Sequence, residues 1–195
     1  MTPTPLDSRD AAGPSADHAA AAAAIADSPT RPLDGGRTEP SRMAASPGLE
    51  RLLANLTGTI PPPPTWYVLG YRLTAVEHGR VAFEMAPLPG HTNYGGTVHG
   101  GVISALADSA MACAVLSVLD ADHWCATIEL KVNMLRPVAA PGELLRATGS
   151  VRWRGGTTAV AEASLTVGDE EVAIGLSTHA IRAARRLTGG PEAGA

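Results

Sequence analysis

Chemically reactive and cross-linking residues are scarce in this 195-residue chain. Only two cysteines occur, Cys113 and Cys125, in no CxxC or other metal-like spacing. That excludes a disulfide framework and a zinc ribbon, and the expectation is a reducing, cytosolic compartment with no metal site. All but one of the 15 cationic residues are arginine, Lys131 being the exception, and they are scattered along a chain of net charge −4. No basic stripe is left on which nucleic acid could be held. No membrane span is expected: the suspect tract Ala19–Ala26 is far shorter than the roughly 20 residues a bilayer needs. It also follows Asp17 rather than a basic stretch, so it makes a poor signal peptide. A GxSxG elbow, a Walker loop and a Rossmann fingerprint are all missing.

What is present fits one globular domain with tails. Residues 1–45 are Ala-, Pro-, Ser- and Asp-rich, without aromatics, and read as a disordered tail. Residues 46–64 read as an amphipathic helix and a proline spacer. Ser46 is its expected N-cap, Pro47 its first residue, and Leu49, Leu52, Leu53 and Leu56 form one stripe. Gly58 is the expected stop, and Pro61–Pro64 an extended connector.

Residues 65–183 carry the domain, and 184–195 a frayed tail. From Tyr67 the apolar period becomes two. Val81, Phe83 and Met85 alternate with polar or small residues after a turn at His78-Gly79. Beyond a long apolar helix, Ile128, Leu130, Val132 and Met134 share a face of the next strand, and Leu145, Ala147, Val151 and Trp153 a face of the one after. Gly155-Gly156 and Gly168-Asp169 mark two further hairpin turns. The fold class is therefore α+β, an antiparallel sheet of about six strands wrapped around one helix that is apolar nearly all round.

The chemistry concentrates in Asn93–Leu119, NYGGTVHGGVISALADSAMACAVLSVL. A glycine-rich loop runs into a helix start at His99-Gly100-Gly101, where unpaired N–H groups and the positive dipole end can polarise a carbonyl oxygen. The glycines equally suit a tight loop. Asn93 reads as a turn residue or an amide donor, and His99 as a helix cap or a substrate contact. Asp108 is the one acid on the helix. It reads equally as a reacting group or as a structural acid bonded to Ser104 or Ser109. Eight residues separate it from Gly100, about 12 Å along the axis at 1.5 Å per residue. If both groups serve one reaction, the second must come from another subunit.

The pattern Asn93-x2-Gly96-x2-His99-Gly100-Gly101-x6-Asp108 resembles the signature of hotdog-fold acyl-CoA thioesterases of the phenylacetate-degradation (PaaI-like) group. The likeness spans roughly Pro61 to Ala183 and includes Leu69-Gly70 and Gly149 to Gly156. The resemblance implies a homodimer, often a dimer of dimers, that hydrolyses acyl-CoA without a further cofactor. Asn93 and the Gly100 N–H would hold the thioester carbonyl, with Gly96, His99 and Gly101 on the substrate side. Asp108 of the partner subunit would activate water or attack directly. Thr127 occupies the place of the Ser or Thr that orients the water, although strict alternation puts it on the face of Glu129 and Lys131. Arg136, Arg152 and Arg154 are candidates for the coenzyme A phosphates or simply solvated strand ends. The rival readings are a non-catalytic acyl-CoA-binding module and another chemistry of the same fold, such as enoyl-CoA hydration.

Overall fold

A computed structural model describes residues 46–183. The two expected tails, 1–45 and 184–195, lie outside the described residues. The elements are α1 (Gly48–Leu56), α2 (Pro64–Leu69), β1 (Tyr71–Glu77), β2 (Arg80–Met85), α3 (Gly100–Ser117), β3 (His123–Met134), β4 (Leu145–Arg154), β5 (Thr158–Val167) and β6 (Glu170–Ala183). The strands form one antiparallel sheet in the order β1-β2-β4-β5-β6-β3.

The sheet curls around α3 because its inner face is built from small residues. Ala147 on β4, Ala159, Ala161 and Ala163 on β5, and Ala173 on β6 are all buried in the core. The helix comes closest at Gly149 of β4, where a Cβ would overlap the Ala110 carbonyl of α3. Larger residues close the ends. Ile103, Leu106, Met111 and Val115 of the helix pack with Phe83, Met85, Leu145 and Leu165 of the sheet. No residue from Val102 to Ser117 is fully exposed. By length and composition alone α3 could cross a membrane, with a mean hydropathy of 1.5, but half of it is buried inside this sheet.

The N-terminal expectations need correction. Pro47, not Ser46, occupies the N-cap of α1, and no side chain caps the helix. Pro64 does not continue an extended spacer but starts α2, as proline can at a first helical turn. That short helix drops Trp66 onto Phe83 edge-to-face, with ring centroids 4.7 Å apart, and beside Tyr71. Helix α1 is tied down by the Gly48 N–H on the Leu119 carbonyl and by the Arg51 guanidinium on the His123 carbonyl.

Of the four register irregularities in the sheet, two change the facing expected from strict alternation. One, between Val151 and Trp153, turns Trp153 out to 56% exposure, away from the Leu145–Ala147 face. The other inserts Ile128 between the pairs Thr127↔His179 and Glu129↔Thr178. A bulge adds one residue and so reverses which side chains point inward. Before it, Cys125 and Thr127 face α3; after it, Val132 and Met134 do. Ile128 itself is left 63% exposed. Finally, the Gly155 hairpin loop has three residues rather than two, closed by the Gly155 N–H on the Thr158 carbonyl.

Candidate active site

The loop before α3 is held by its own side chains. The Asn93 carboxamide oxygen accepts from the N–H groups of Gly95 and Thr97 at 2.8 and 3.3 Å, and its Nδ2 donates to Thr97 Oγ1 at 3.0 Å. This is an Asx-type turn. It uses one of the two amide hydrogens, leaving the other free to donate. Gly96 has φ +76°, and its N–H closes the turn on the Asn93 carbonyl. Its role in this structure is to shape the loop.

At the helix start, His99 is the N-cap. Its Nδ1 accepts from the Gly101 N–H at 2.9 Å. Of the two readings for His99, the cap is thus the one with a partner. A Cβ on Gly101 would lie 2.9 Å from that ring nitrogen, so the cap also explains the glycine. The next two N–H groups, of Val102 and Ile103, both reach the His99 carbonyl. Among the described residues, only the Gly100 N–H in this first turn has no acceptor. It opens at the positive end of an 18-residue helix, a place that favours a developing negative charge.

Asp108 lies two turns further along and is half-buried. Its Oδ1 accepts a 2.7 Å hydrogen bond from Thr127 Oγ1. Neither serine considered as its partner takes that role. Ser104 Oγ donates to the Gly100 carbonyl, and Ser109 Oγ is paired with the Tyr71 hydroxyl at 2.8 Å. The bulge at Ile128 puts Thr127 on the helix side of β3, against the expectation from strict alternation. No hydrogen bond joins the Asp108–Thr127 pair to the Asn93–Gly100 loop within the described chain.

The other candidates contribute less. Arg136, Arg152 and Arg154 are paired with Glu170, Glu162 and Asp120 at 3.1, 3.3 and 3.6 Å. Burial pushes the Cys125 thiol up to about 11 and Cys113 higher still, so neither is poised as a nucleophile. No group of three His, Cys, Asp or Glu side chains among the described residues is placed to hold a metal ion. A cleft of about 650 Å³ opens beside Arg80, Lys131 and Glu162 on the strands, but none of the site residues lines it.

Sequence reasoning missed His179 and Ser177 of β6. Both are fully buried, and they extend the Asp108–Thr127 pair inward. The signal was there: Ser177 and His179 stand at i and i+2, hence on one strand face, between the apolar stretch Val172–Leu176 and Ala180-Ile181.

The family model described as the thioesterase superfamily matches residues 95–174, from the glycine loop through α3 into β6. A phenylacetic acid degradation-related protein from Ralstonia eutropha JMP134 is 27% identical, aligns over 66% of this chain and 97% of its own, and superposes with a TM-score of 0.61. The chain is similar to the PaaI-like hotdog-fold thioesterases. The PaaI protein of the Escherichia coli phenylacetic acid degradation operon shares the fold at 23% identity, over 68% of this chain and 94% of its own, with a TM-score of 0.61. A hypothetical thioesterase from Streptococcus pneumoniae TIGR4, solved with coenzyme A, shares it at 22% identity over 58% and 89%, with a TM-score of 0.54. Among curated proteins none matches this chain. The expected fold, six antiparallel strands around one long helix, is the one present.

Proposed function

We propose that this thioesterase hydrolyses acyl-CoA to the free acid and coenzyme A, at a site completed across a homodimer. The observation that carries the reading is the division of labour along α3. An unpartnered N–H stands at Gly100, and an acid held by Thr127 stands at Asp108, about 12 Å away on the same axis. One carbonyl carbon cannot lie against both groups of one helix.

In this reading the thioester carbonyl oxygen lies on the Gly100 N–H and the free hydrogen of the Asn93 amide. Asp108 of the partner subunit takes a proton from water, and the resulting hydroxide attacks the carbonyl carbon. Negative charge collects on the carbonyl oxygen, where donors are already in place. Collapse of the intermediate breaks the carbon–sulfur bond, and the thiolate leaves and takes up a proton. Direct attack by the Asp108 carboxylate would use the same donors.

Coenzyme A as the thiol is supported by the Streptococcus pneumoniae relative, whose structure was solved with it. A dimer is supported by β3, a 12-residue strand at the sheet edge with Trp124, Ile128, Leu130 and Met134 exposed. A long apolar edge is a template for pairing with another strand. A dimer of dimers and a cytosolic site of action belong to the same proposal. The two free cysteines suit a reducing compartment.

The test is thiol release from a panel of aryl, short, medium and long acyl-CoAs by the wild type and by D108N. Hydrolysis of at least one class by the wild type, lost in the variant, is expected. Wild-type turnover by D108N overturns the assignment of Asp108.

A further inference from the structure

The buried chain behind Asp108 has no part in the mechanism above. Thr127 Oγ1 lies 3.4 Å from His179 Nδ1, and His179 Nε2 lies 2.7 Å from Ser177 Oγ. Ser177 Oγ also touches the Met111 sulfur at 3.2 Å. His179 and Ser177 have no exposed surface, in the middle of a sheet otherwise lined by alanines. Burying an imidazole in such a place is costly unless its polar atoms are used.

Counting protons fixes how they are used. Thr127 has one hydroxyl hydrogen, and it is given to Asp108. His179 is neutral, since burial lowers its affinity for a proton more than the nearby Asp108 raises it. A neutral imidazole has one N–H and one lone pair. If the hydrogen were on Nε2, Nδ1 would turn a lone pair toward the Thr127 oxygen with no hydrogen between them. With the hydrogen on Nδ1, it donates to Thr127, and Nε2 accepts from Ser177, whose single hydrogen finds there a far better acceptor than a thioether sulfur. Only this arrangement satisfies both ring nitrogens.

We infer that His179, held as its Nδ1–H tautomer by Ser177, is a positioning residue: it fills the lone pair of Thr127, so that the threonine hydrogen is committed to Asp108 Oδ1. The carboxylate is thereby fixed in one orientation, with Oδ2 left for the reaction. The inference rests on the proposed role of Asp108 and assigns His179 no contact with substrate. Hydrogen bonds in a chain strengthen one another, and a donor fixed by the fold does not have to be reoriented during the reaction.

The native protein gives the first test, which does not depend on any variant folding. The ¹⁵N chemical shifts of the His179 imidazole should report Nδ1 protonated and Nε2 bare. The opposite tautomer, or a charged ring at neutral pH, overturns the inference. Kinetics give the second. H179L should lower kcat roughly tenfold, about the worth of one hydrogen bond, with KM unchanged. H179N, whose amide can stand in for the Nδ1–H, should recover most of that loss. In a T127V background H179L should cost nothing further, because its only route to Asp108 is gone. An undiminished kcat in H179L, or an equal further loss on top of T127V, overturns the inference. D108N measured in parallel separates the two claims. If D108N is inactive while H179L is unimpaired, only the role of His179 fails. If D108N hydrolyses normally, the parent reading fails.

Discussion

Thr127 and Asp108, 19 residues apart in sequence and on different elements, are joined by a 2.7 Å hydrogen bond between β3 and α3. The threonine donates, so one carboxylate oxygen is occupied and the other is left uncommitted by it. Asp108→Asn keeps an oxygen that can accept this bond and keeps the helix packing, but it removes the base. Its turnover should fall by roughly 10²–10⁴-fold, the usual worth of a positioned general base. Its melting temperature and sedimentation should match the wild type. A variant that is both dead and unfolded would not support the assignment.

His99 should matter more to the helix than to the chemistry. His99→Ala removes the acceptor of the Gly101 N–H, and loss of an N-cap costs about 0.5–2 kcal/mol. Denaturant unfolding should show that loss, and kcat should fall far less than in D108N. A collapse of kcat with unchanged stability would instead place the imidazole against the substrate.

Gly149 tests the fold where helix and sheet meet. A methyl group there meets the backbone of Ala110 and Met111, which cannot swing aside as a side chain could. Gly149→Ala should destabilise by about 1–3 kcal/mol or more through overpacking, read as a lowered midpoint in urea. An unchanged midpoint would mean that α3 can lift from β4 at little cost.

The free edge of β3 tests the dimer. Ile128→Asp puts a charge on an exposed apolar position of that edge, where inter-strand pairing would bury it. Sedimentation should show monomers, and activity should fall with the dimer fraction. A fully active monomer, wild type or variant, would contradict a site shared between subunits.

Stability should fall on the acid side of neutrality. Burial lowers the proton affinity of both His91 and His179 below the ordinary histidine value. The unfolded chain takes up protons below about pH 6.5 while these two folded histidines remain neutral, so the unfolded state gains protons first and stability drops as pH falls through that region. His91 has a further reason to resist: its Nδ1 accepts from the Leu88 N–H, which a proton on that nitrogen would oppose. Midpoints measured between pH 7 and 5 should decline, and His91→Gln should flatten the decline.

Much of the site was legible in one dimension because helix geometry is local. Gly100 and Asp108 belong to one uninterrupted helical run, and a fixed rise per residue separates them whatever surrounds the helix. The antiparallel strands followed equally from period-two patterns, and the places of their turns from His78-Gly79, Gly155-Gly156 and Gly168-Asp169. Local rules did not reach α2, where a proline run that reads as extended turns helical because Trp66 gains a buried place beside Phe83 and Tyr71.

The facing of Thr127 was beyond sequence altogether. Strand alternation holds only while pairing is regular, and whether β3 carries an extra residue at Ile128 depends on how it registers with β6, some 50 residues on. That register turned Thr127 toward Asp108 and set His179 behind it. The sequence determined which helix carries the acid and how far the acid stands from the helix start. The tertiary structure decided what holds that acid in place, because hydrogen bonds between side chains depend on pairing distant segments, and no local pattern encodes that.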